Sequence, residues 1–566
     1  MDPKHISDSE NDIENIKEKL RLSDSDSDAF EAVLQHMGEM GLYQKLLFFA
    51  MAPFGFVFAF NYYTQMFITA TPSHWCRVPE LEHLDVEIRR NLTTVTTAEG
   101  WENCLMYDAN WTQVLQNMIV PSNTTLVPCQ HGWEFQLTNI PYHTVVSERG
   151  WVCENASNVP FAQSMAFVGS FLGGILFGWM ADFYGRVPAI MGTYLIALIG
   201  GVGSIYTSGL WDFAFCRFLV GMSFDSCFVI IYILVLEYVG PTYRSLVGNI
   251  SIALFYGGGA IMLPWVSIWL GDWRKLLWFT ISPLLILFLI PFVIPESARW
   301  LSSRGRSKKA IEVLRRFEKL NGRKIPDDVL DEFVISSNKQ KISNESLKDV
   351  FKSHHLRKML FILSITSMFG VIVFDTLVRM CHGLGLDFFV TFTMVSATEV
   401  PSVILVAVTL DRFGRRKLTF VPTVLTAILA ITATFVPKGI PRVAIAVLAR
   451  FMTNMTLTVL MQWTAELLPT PVRASGSSFV HVISFLATMV SPFIAFSERL
   501  WFALPFIIIS GISLCAASIT LLLPETKGRQ MPQTIIDGEK IVQSNTLCGS
   551  NAESEQDLPK RRSLIT

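Results

Sequence analysis

Apolar stretches recur twelve times along the chain, each broken by a short polar turn. They cover about 46–70, 159–180, 188–208, 212–235, 246–269, 276–294, 359–379, 386–408, 418–436, 441–463, 476–496 and 501–523. Most match the roughly 20 residues that cross a hydrocarbon core, so each predicts a membrane helix. Two long polar segments interrupt the series, 72–158 after the first run and 299–358 after the sixth. The pattern predicts an all-α membrane protein of two six-helix halves. Its parts are a tail over 1–45, a first bundle over 46–298, a middle loop over 299–358, a second bundle over 359–523 and a closing tail over 524–566. Within the middle loop, the spacing of Ile311, Val313, Leu314, Phe317 and Leu320 predicts surface helices over 304–320 and 326–352.

The two halves echo each other. Asp182-Phe-Tyr-Gly185-Arg186 returns as Asp411-Arg-Phe-Gly414-Arg415, a shift of 229 positions (411 − 182). The same shift carries Glu237 and Arg244 onto Glu466 and Arg473, and Pro295-Glu296-Ser297 onto Pro524-Glu525-Thr526. Charged signatures repeated at one offset, each where an apolar run ends, indicate duplication of a helix bundle, the logic of a carrier made of two similar halves.

Composition sharpens the picture. Only 16% of the 566 residues are charged and 51% are apolar, against about 25% charged in a soluble domain. A net charge of −1 leaves no nucleic-acid footprint. The segment 72–158 holds Cys76, Cys104, Cys129 and Cys153 together with the sequons at Asn91, Asn110, Asn123 and Asn155. That is the composition of an oxidised, glycosylated extracellular loop, although four cysteines allow three pairings. The loop carries ten Asp/Glu against four Lys/Arg, whereas 299–358 carries sixteen Lys/Arg against eight Asp/Glu. Basic excess on one side and sequons on the other predict cytoplasmic termini and a cytoplasmic middle loop. No signal peptide precedes the first run. The Ser23-Asp-Ser-Asp-Ser-Asp28 stretch reads as a solvated tail.

In this order and spacing, further motifs are distinctive: Cys104-Leu-Met-Tyr107-Asp108, Cys129-Gln-His-Gly-Trp133, Gly240-Pro-Thr-Tyr-Arg244, Asp272-Trp-Arg274, Pro295-Glu-Ser-Ala-Arg-Trp-Leu301 and Thr464-Ala-Glu-Leu-Leu-Pro-Thr470. With the duplicated signatures, they resemble the organic cation/carnitine/anion transporters of the major facilitator superfamily, over about residues 30–531. The resemblance implies alternating access in the plasma membrane, with no enzymatic activity and no cofactor. It also implies a gating role for Asp182, Arg186, Glu237, Arg244, Asp411, Arg415, Glu466 and Arg473. In that reading, the aspartates satisfy helix-start amides, the arginines bridge carboxylates, and the pairs hold the halves closed on the cytoplasmic side.

Ionisable groups deep in an apolar run cost about 2.5–3.5 kcal/mol each on the insertion scale, so they point to function. Asp225, Asp375, Glu399 and Arg450 stand out, with His481 behind them. Glu399-Val-Pro401 resembles the family's acidic-x-Pro facing the cavity. Phe228 and Phe374 resemble aromatic positions of the cation branch, where carboxylates beside ring faces suit an ammonium group. Tyr63, Tyr256, Thr458 and Gln462 complete a candidate cavity. The structural alternative pairs Asp375 with Arg379 and Asp225 with Arg450, and makes Arg217 a helix-end residue. The family's span-11 charge position falls on Phe485, so the usual discriminator of cation from anion carriers is silent; His481 stands one turn earlier.

The expected activity is carriage of small organic cations or amine-bearing zwitterions, with the membrane potential worth about 2.3 kcal/mol per charge per 100 mV if no coupling ion takes part. The expected partners are the substrate, membrane lipid and any coupling ion. The alternatives are an organic-anion or carboxylate carrier using Arg450, and a non-transporting membrane sensor.

Overall fold

The computed structural model describes residues 30–97, 100–121, 124–339, 347–469, 472–529, 531–532 and 535–543. Asn123 and the Ser23–Asp28 stretch lie outside them. The fold is a bundle of twelve helical spans, a multi-pass membrane architecture. Eleven are long and apolar enough to cross a membrane, and the twelfth, Leu504–Thr520, is a shorter apolar helix. Span 1 runs Leu42–Ile68, span 2 Asn158–Phe183, span 3 Arg186–Tyr206, span 4 Leu210–Tyr238, span 5 Pro241–Leu270 and span 6 Trp273–Val293. Spans 7 to 11 are His354–Arg379, Phe388–Phe413, Arg415–Phe435, Ile440–Leu467 and Arg473–Phe496. Most extend beyond their apolar runs, because polar side chains at a helix end still reach water while the backbone continues its hydrogen bonds. The middle loop forms helices Ser307–Asn321, Asp327–Lys339 and Leu347–Lys352.

Five spans are irregular near mid-length, which the apolar pattern does not reveal; span 6 tightens into a 3-10 stretch over Ser282–Phe288. Span 4 breaks at Asp225 and span 8 at Ala397–Thr398, directly before Glu399. Span 11 breaks at Met489–Val490, directly before Ser491. Span 5 relaxes into a π-turn over Ile252–Tyr256. Irregular backbone at membrane depth persists only where protein or a cavity satisfies it, and it marks sites in carriers. Four candidate or neighbouring polar residues therefore sit at local weaknesses of their helices.

Glycines set the closest packing. A Cβ on Gly173 of span 2 would lie 1.9 Å from the Met222 carbonyl oxygen of span 4, and one on Gly221 would lie 2.0 Å from that of Ala166. Small residues let backbones approach where lipid supplies no hydrophobic drive. The Gly257–Gly259 run acts similarly, since a Cβ on Gly259 would meet Ala59 of span 1 at 2.8 Å.

The large loop between spans 1 and 2 folds into short hairpins and helices. Strand Ser73–Cys76 pairs antiparallel with Trp133–Gln136, and Leu105–Tyr107 with Leu126–Pro128. Disulfides join Cys76 to Cys129 and Cys104 to Cys153, resolving the pairing. The sequon residues Asn91, Asn110 and Asn155 are exposed. Glu148 anchors the loop to span 6, accepting bonds from Trp273 Nε1 at 2.9 Å and from Arg274. The Arg274 guanidinium holds the Glu148 carboxyl below its ordinary pKa.

Two outcomes check this packing. Gly173→Val lowers the thermal midpoint in detergent by the equivalent of at least about 1–3 kcal/mol, whereas Gly178→Ala, with nothing within 4 Å of the new methyl, leaves it unchanged; equal midpoints would contradict the close approach. Non-reducing peptide mapping recovers Cys76 linked to Cys129 and Cys104 to Cys153, and a Cys76–Cys104 peptide would overturn that connectivity.

Candidate functional site

The duplicated charge signatures form two matching clusters at the end of the bundle opposite the large loop. Gly185, at φ 118°, turns the chain so that the amides of Arg186 and Val187 donate to Glu296 at 2.9 and 3.1 Å. Gly414, at φ 84°, does the same for Arg415 and Arg416, which donate to Glu525 at 2.9 and 3.0 Å. A Cβ at Gly185 would lie 2.5 Å from Glu296 Oε2, so both the turn and the space require glycine. Arg186 then reaches Asp182 at 3.1 Å and Glu237 at 3.7 Å. Arg415 reaches Asp411 at 3.1 Å and Glu466 at 2.8 Å.

Two expectations are corrected here. The carboxylates at the helix starts are Glu296 and Glu525, not Asp182 and Asp411, whose side chains are 79% and 87% exposed. The bonds named for each cluster also stay inside one half. Arg244 pairs with Glu31 at 3.3 Å rather than with Glu237, and Arg473 donates to the Leu468 carbonyl at 3.3 Å. A side chain of Arg length reaches the next loop of its own bundle, so these contacts brace each half rather than clamp one to the other.

The polar bonds that do join the halves lie from mid-depth toward the large-loop end. Asp375 of span 7 accepts from Tyr62 of span 1 at 2.5 Å, from Arg379 Nε at 2.5 Å and from Ser491 Oγ. Arg379 also donates to Gln163 of span 2 at 2.5 Å, and Ser164 donates to the Met489 carbonyl of span 11 at 2.7 Å. Asp375 and Arg379 are 1% and 4% exposed, so their charges depend on each other and on these bonds. The carboxylate of Asp375 is fully engaged here, and the Asp375–Arg379 alternative is the arrangement found. Above this network opens a cavity of about 930 Å³ lined by Thr69, Gln163, Arg379, Asp387, Glu498 and Arg499, among others.

A second charge pair lies deeper. Arg450 of span 10 is fully buried, 3.3 Å from Glu399, and its guanidinium sits 3.2 Å from the centre of the Phe374 ring while donating to the Phe374 carbonyl at 2.5 Å. Arg450 also reaches toward the Tyr63 hydroxyl at 3.5 Å, and Tyr63 bonds Tyr256 at 2.8 Å. Asp225 therefore does not meet Arg450; it lies 3.0 Å from His481 Nε2 across the halves. Arg450 is drawn away by Glu399 and the Phe374 ring, which offer it charge and a π face together.

Around Asp225 the rings stack. Phe58 lies 5.0 Å from Phe224 and 5.4 Å from Phe228, nearly parallel to both, and Tyr62 stacks on Phe224 at 4.9 Å. Phe485 stands edge-on to Phe224 at 5.2 Å and to His481 at 4.8 Å. The sequence reading missed Phe58 and Ser491, and gave no role to Gln163 or Phe224, which lie in motifs that resemble the family's. The spacing of Phe58 with Tyr62, and of Phe224 with Phe228, one helical turn each, was the available signal. Thr458 donates to the Asn454 carbonyl of its own helix. Arg217 bonds Ser204 and lies over Phe213, packing span 4 on span 3.

The lock near the loop end carries a prediction. Arg379→Ala strands a buried carboxylate and costs about 3–5 kcal/mol of stability, and adding Asp375→Asn recovers most of the loss. Thermal unfolding of the four proteins of that cycle measures the coupling, and additive losses would contradict it.

Residues 124–534 match the family model described as Sugar (and other) transporter. The chain is 31% identical to the Beta-alanine transporter of Drosophila melanogaster, over 94% of each chain. It is 28% identical to Solute carrier family 22 member 2 of Mus musculus, covering 90% of this chain and 95% of that one. To the Carcinine transporter of Drosophila melanogaster it is 29% identical, covering 90% and 79%. In fold it is similar to the partially occluded inward open conformation of the xylose transporter XylE from E. coli, at a TM-score of 0.57 and 17% identity, covering 86% and 99%.

Proposed function

The chain belongs to the sugar (and other) transporter family, and on that premise we propose that it carries small organic cations or amine-bearing zwitterions by alternating access. The observation that carries this reading is Asp225, a carboxylate at a break in span 4 whose flanking residues enter a stack of parallel rings. A carboxylate beside ring faces attracts an ammonium by charge and by cation–π contact, the latter worth about 0.5–2 kcal/mol. Asp375 serves in this reading as the outer lock rather than as a ligand, since its oxygens are already taken. Glu399 and Arg450 neutralise one another, so Arg450 is a poor anchor for an anion and the carboxylate-carrier alternative loses its main support. Phe228, Tyr256, Phe374, Thr458, His481 and Phe485 shape or border the path.

Two relatives are named for β-alanine and carcinine, which agrees with an amine-bearing substrate. The reading places the protein in the plasma membrane with both tails and the basic middle loop in the cytoplasm. The sequon-bearing loop then faces outside, and the buried bonds between the halves close that outer side. The brace clusters of Asp182, Arg186 and Glu237, and of Asp411, Arg415 and Glu466, keep each half rigid as the two rock.

Uptake into oocytes of labelled tetraethylammonium, β-alanine and succinate separates the possibilities. Tetraethylammonium or β-alanine accumulates above controls, and Asp225→Asn lowers that uptake at least about tenfold at subsaturating substrate, the scale of about 1.4 kcal/mol, with surface expression unchanged. Accumulation of succinate alone would favour the anion carrier.

A further inference from the structure

Between the two halves, three carboxylates face two guanidiniums. Asp375 is matched by Arg379 and Glu399 by Arg450, which leaves Asp225 with His481 at 3.0 Å as its partner. When His481 is neutral the path carries one negative charge, and when it holds a proton the path is neutral. An uncompensated charge at mid-bilayer is costly, so an empty carrier rearranges most readily with that charge offset.

The neighbourhood isolates the pair. Span 11 packs against spans 2, 7, 10 and 12, and span 12 has no charged residue over Leu504–Thr520. Span 2 has no ionisable residue between Asn158 and Ala181, span 7 none between Lys358 and Asp375, and span 10 none between Arg450 and Glu466. Asp375 and Arg450 are held in their own pairs. On span 4 the Cys227 thiol bonds the Phe224 carbonyl at 3.2 Å. On span 11 itself, Arg473 and Glu498 stand at the two ends of the helix. Asp225 is thus the charged group that faces His481. The His481 side chain is 31% exposed rather than sealed within the bundle.

We propose that Asp225 and His481 form a proton site whose occupancy excludes the substrate's ammonium group, making the protein a one-for-one exchanger of organic cation for proton. The inference rests on the reading that the amine binds at Asp225. An arriving ammonium takes the carboxylate, and the imidazolium gives its proton to water on that side. After the amine leaves on the other side, His481 takes a proton there and carries it back. One positive charge moves each way, so the drive is the proton gradient and not the potential.

The test uses the full-length protein in phosphatidylcholine liposomes with the potential held at zero by potassium and valinomycin. Labelled tetraethylammonium, whose charge does not titrate, is the probe. An interior about one pH unit more acidic than the outside drives up to about tenfold accumulation, and His481→Gln abolishes the dependence on the gradient. Accumulation indifferent to the gradient overturns the inference. A substrate-free arm follows the imidazole titration of His481 by nuclear magnetic resonance, identified by its absence in His481→Gln. Asp225→Asn moves its midpoint, because that carboxylate is the charged group 3.0 Å from the ring; an unchanged midpoint also overturns the inference. If the midpoint shifts but tetraethylammonium moves at no pH, the proton site stands and the organic-cation reading falls.

Discussion

A buried network joins the two halves near the large-loop end, the carboxylate of Asp375 gripped by Arg379, Tyr62 and Ser491, with Arg379 held in turn by Gln163. Its strength and its fragility share a cause. In an apolar surrounding, each partner removed leaves a charge or a polar atom without compensation. Only complete closure of the network therefore satisfies every one of these groups. Tyr62 and Tyr63, adjacent in span 1, tie this lock to the deeper groups. Tyr62 stacks on Phe224 next to Asp225, and Tyr63 reaches Arg450 and Tyr256.

The rest of the molecule supplies stiffness around that seam. Close glycine contacts fuse spans 2 and 4, and the duplicated charge clusters fasten helix ends within each half. Irregular backbone within the spans lies at Asp225, Ala397–Thr398 and Met489–Val490, in the π-turn ending at Tyr256 and in the 3-10 stretch Ser282–Phe288 of span 6, among other places. Four of these irregular points fall beside Asp225, Glu399, Ser491 and Tyr256.

The spans were legible in the sequence because a bilayer imposes its demand on some twenty residues at once, and no local exception hides so long a run. The duplication was legible for a similar reason: an identical offset preserves charged turns such as Asp182 to Arg186. The pairing of charges was not. Asp225 could face Arg450 or His481, and only the register of two helices from different halves decides between them. Glu296 and Glu525 keep the common offset, but the helix-start role was given to Asp182 and Asp411, because the left-handed turn at Gly185 and Gly414 that aims the amides at the glutamates has no signature beyond glycine itself. The breaks in spans 8 and 11 have a cause in the sequence, because Pro401 and Pro492 lack the amides that would bond the Ala397 and Thr488 carbonyls four residues back. The bend at Pro401 was legible, whereas the break at Asp225 has no such breaker beside it.

The central claim is that the halves separate at the loop end and close again as a unit. Double electron–electron resonance between spin labels at Trp211 and Phe435, exposed at the loop ends of spans 4 and 9, tests it most directly. The account predicts two distance populations whose ratio shifts when β-alanine or tetraethylammonium is added and when Asp375→Asn weakens the lock. A single population, unmoved by either change, would contradict it.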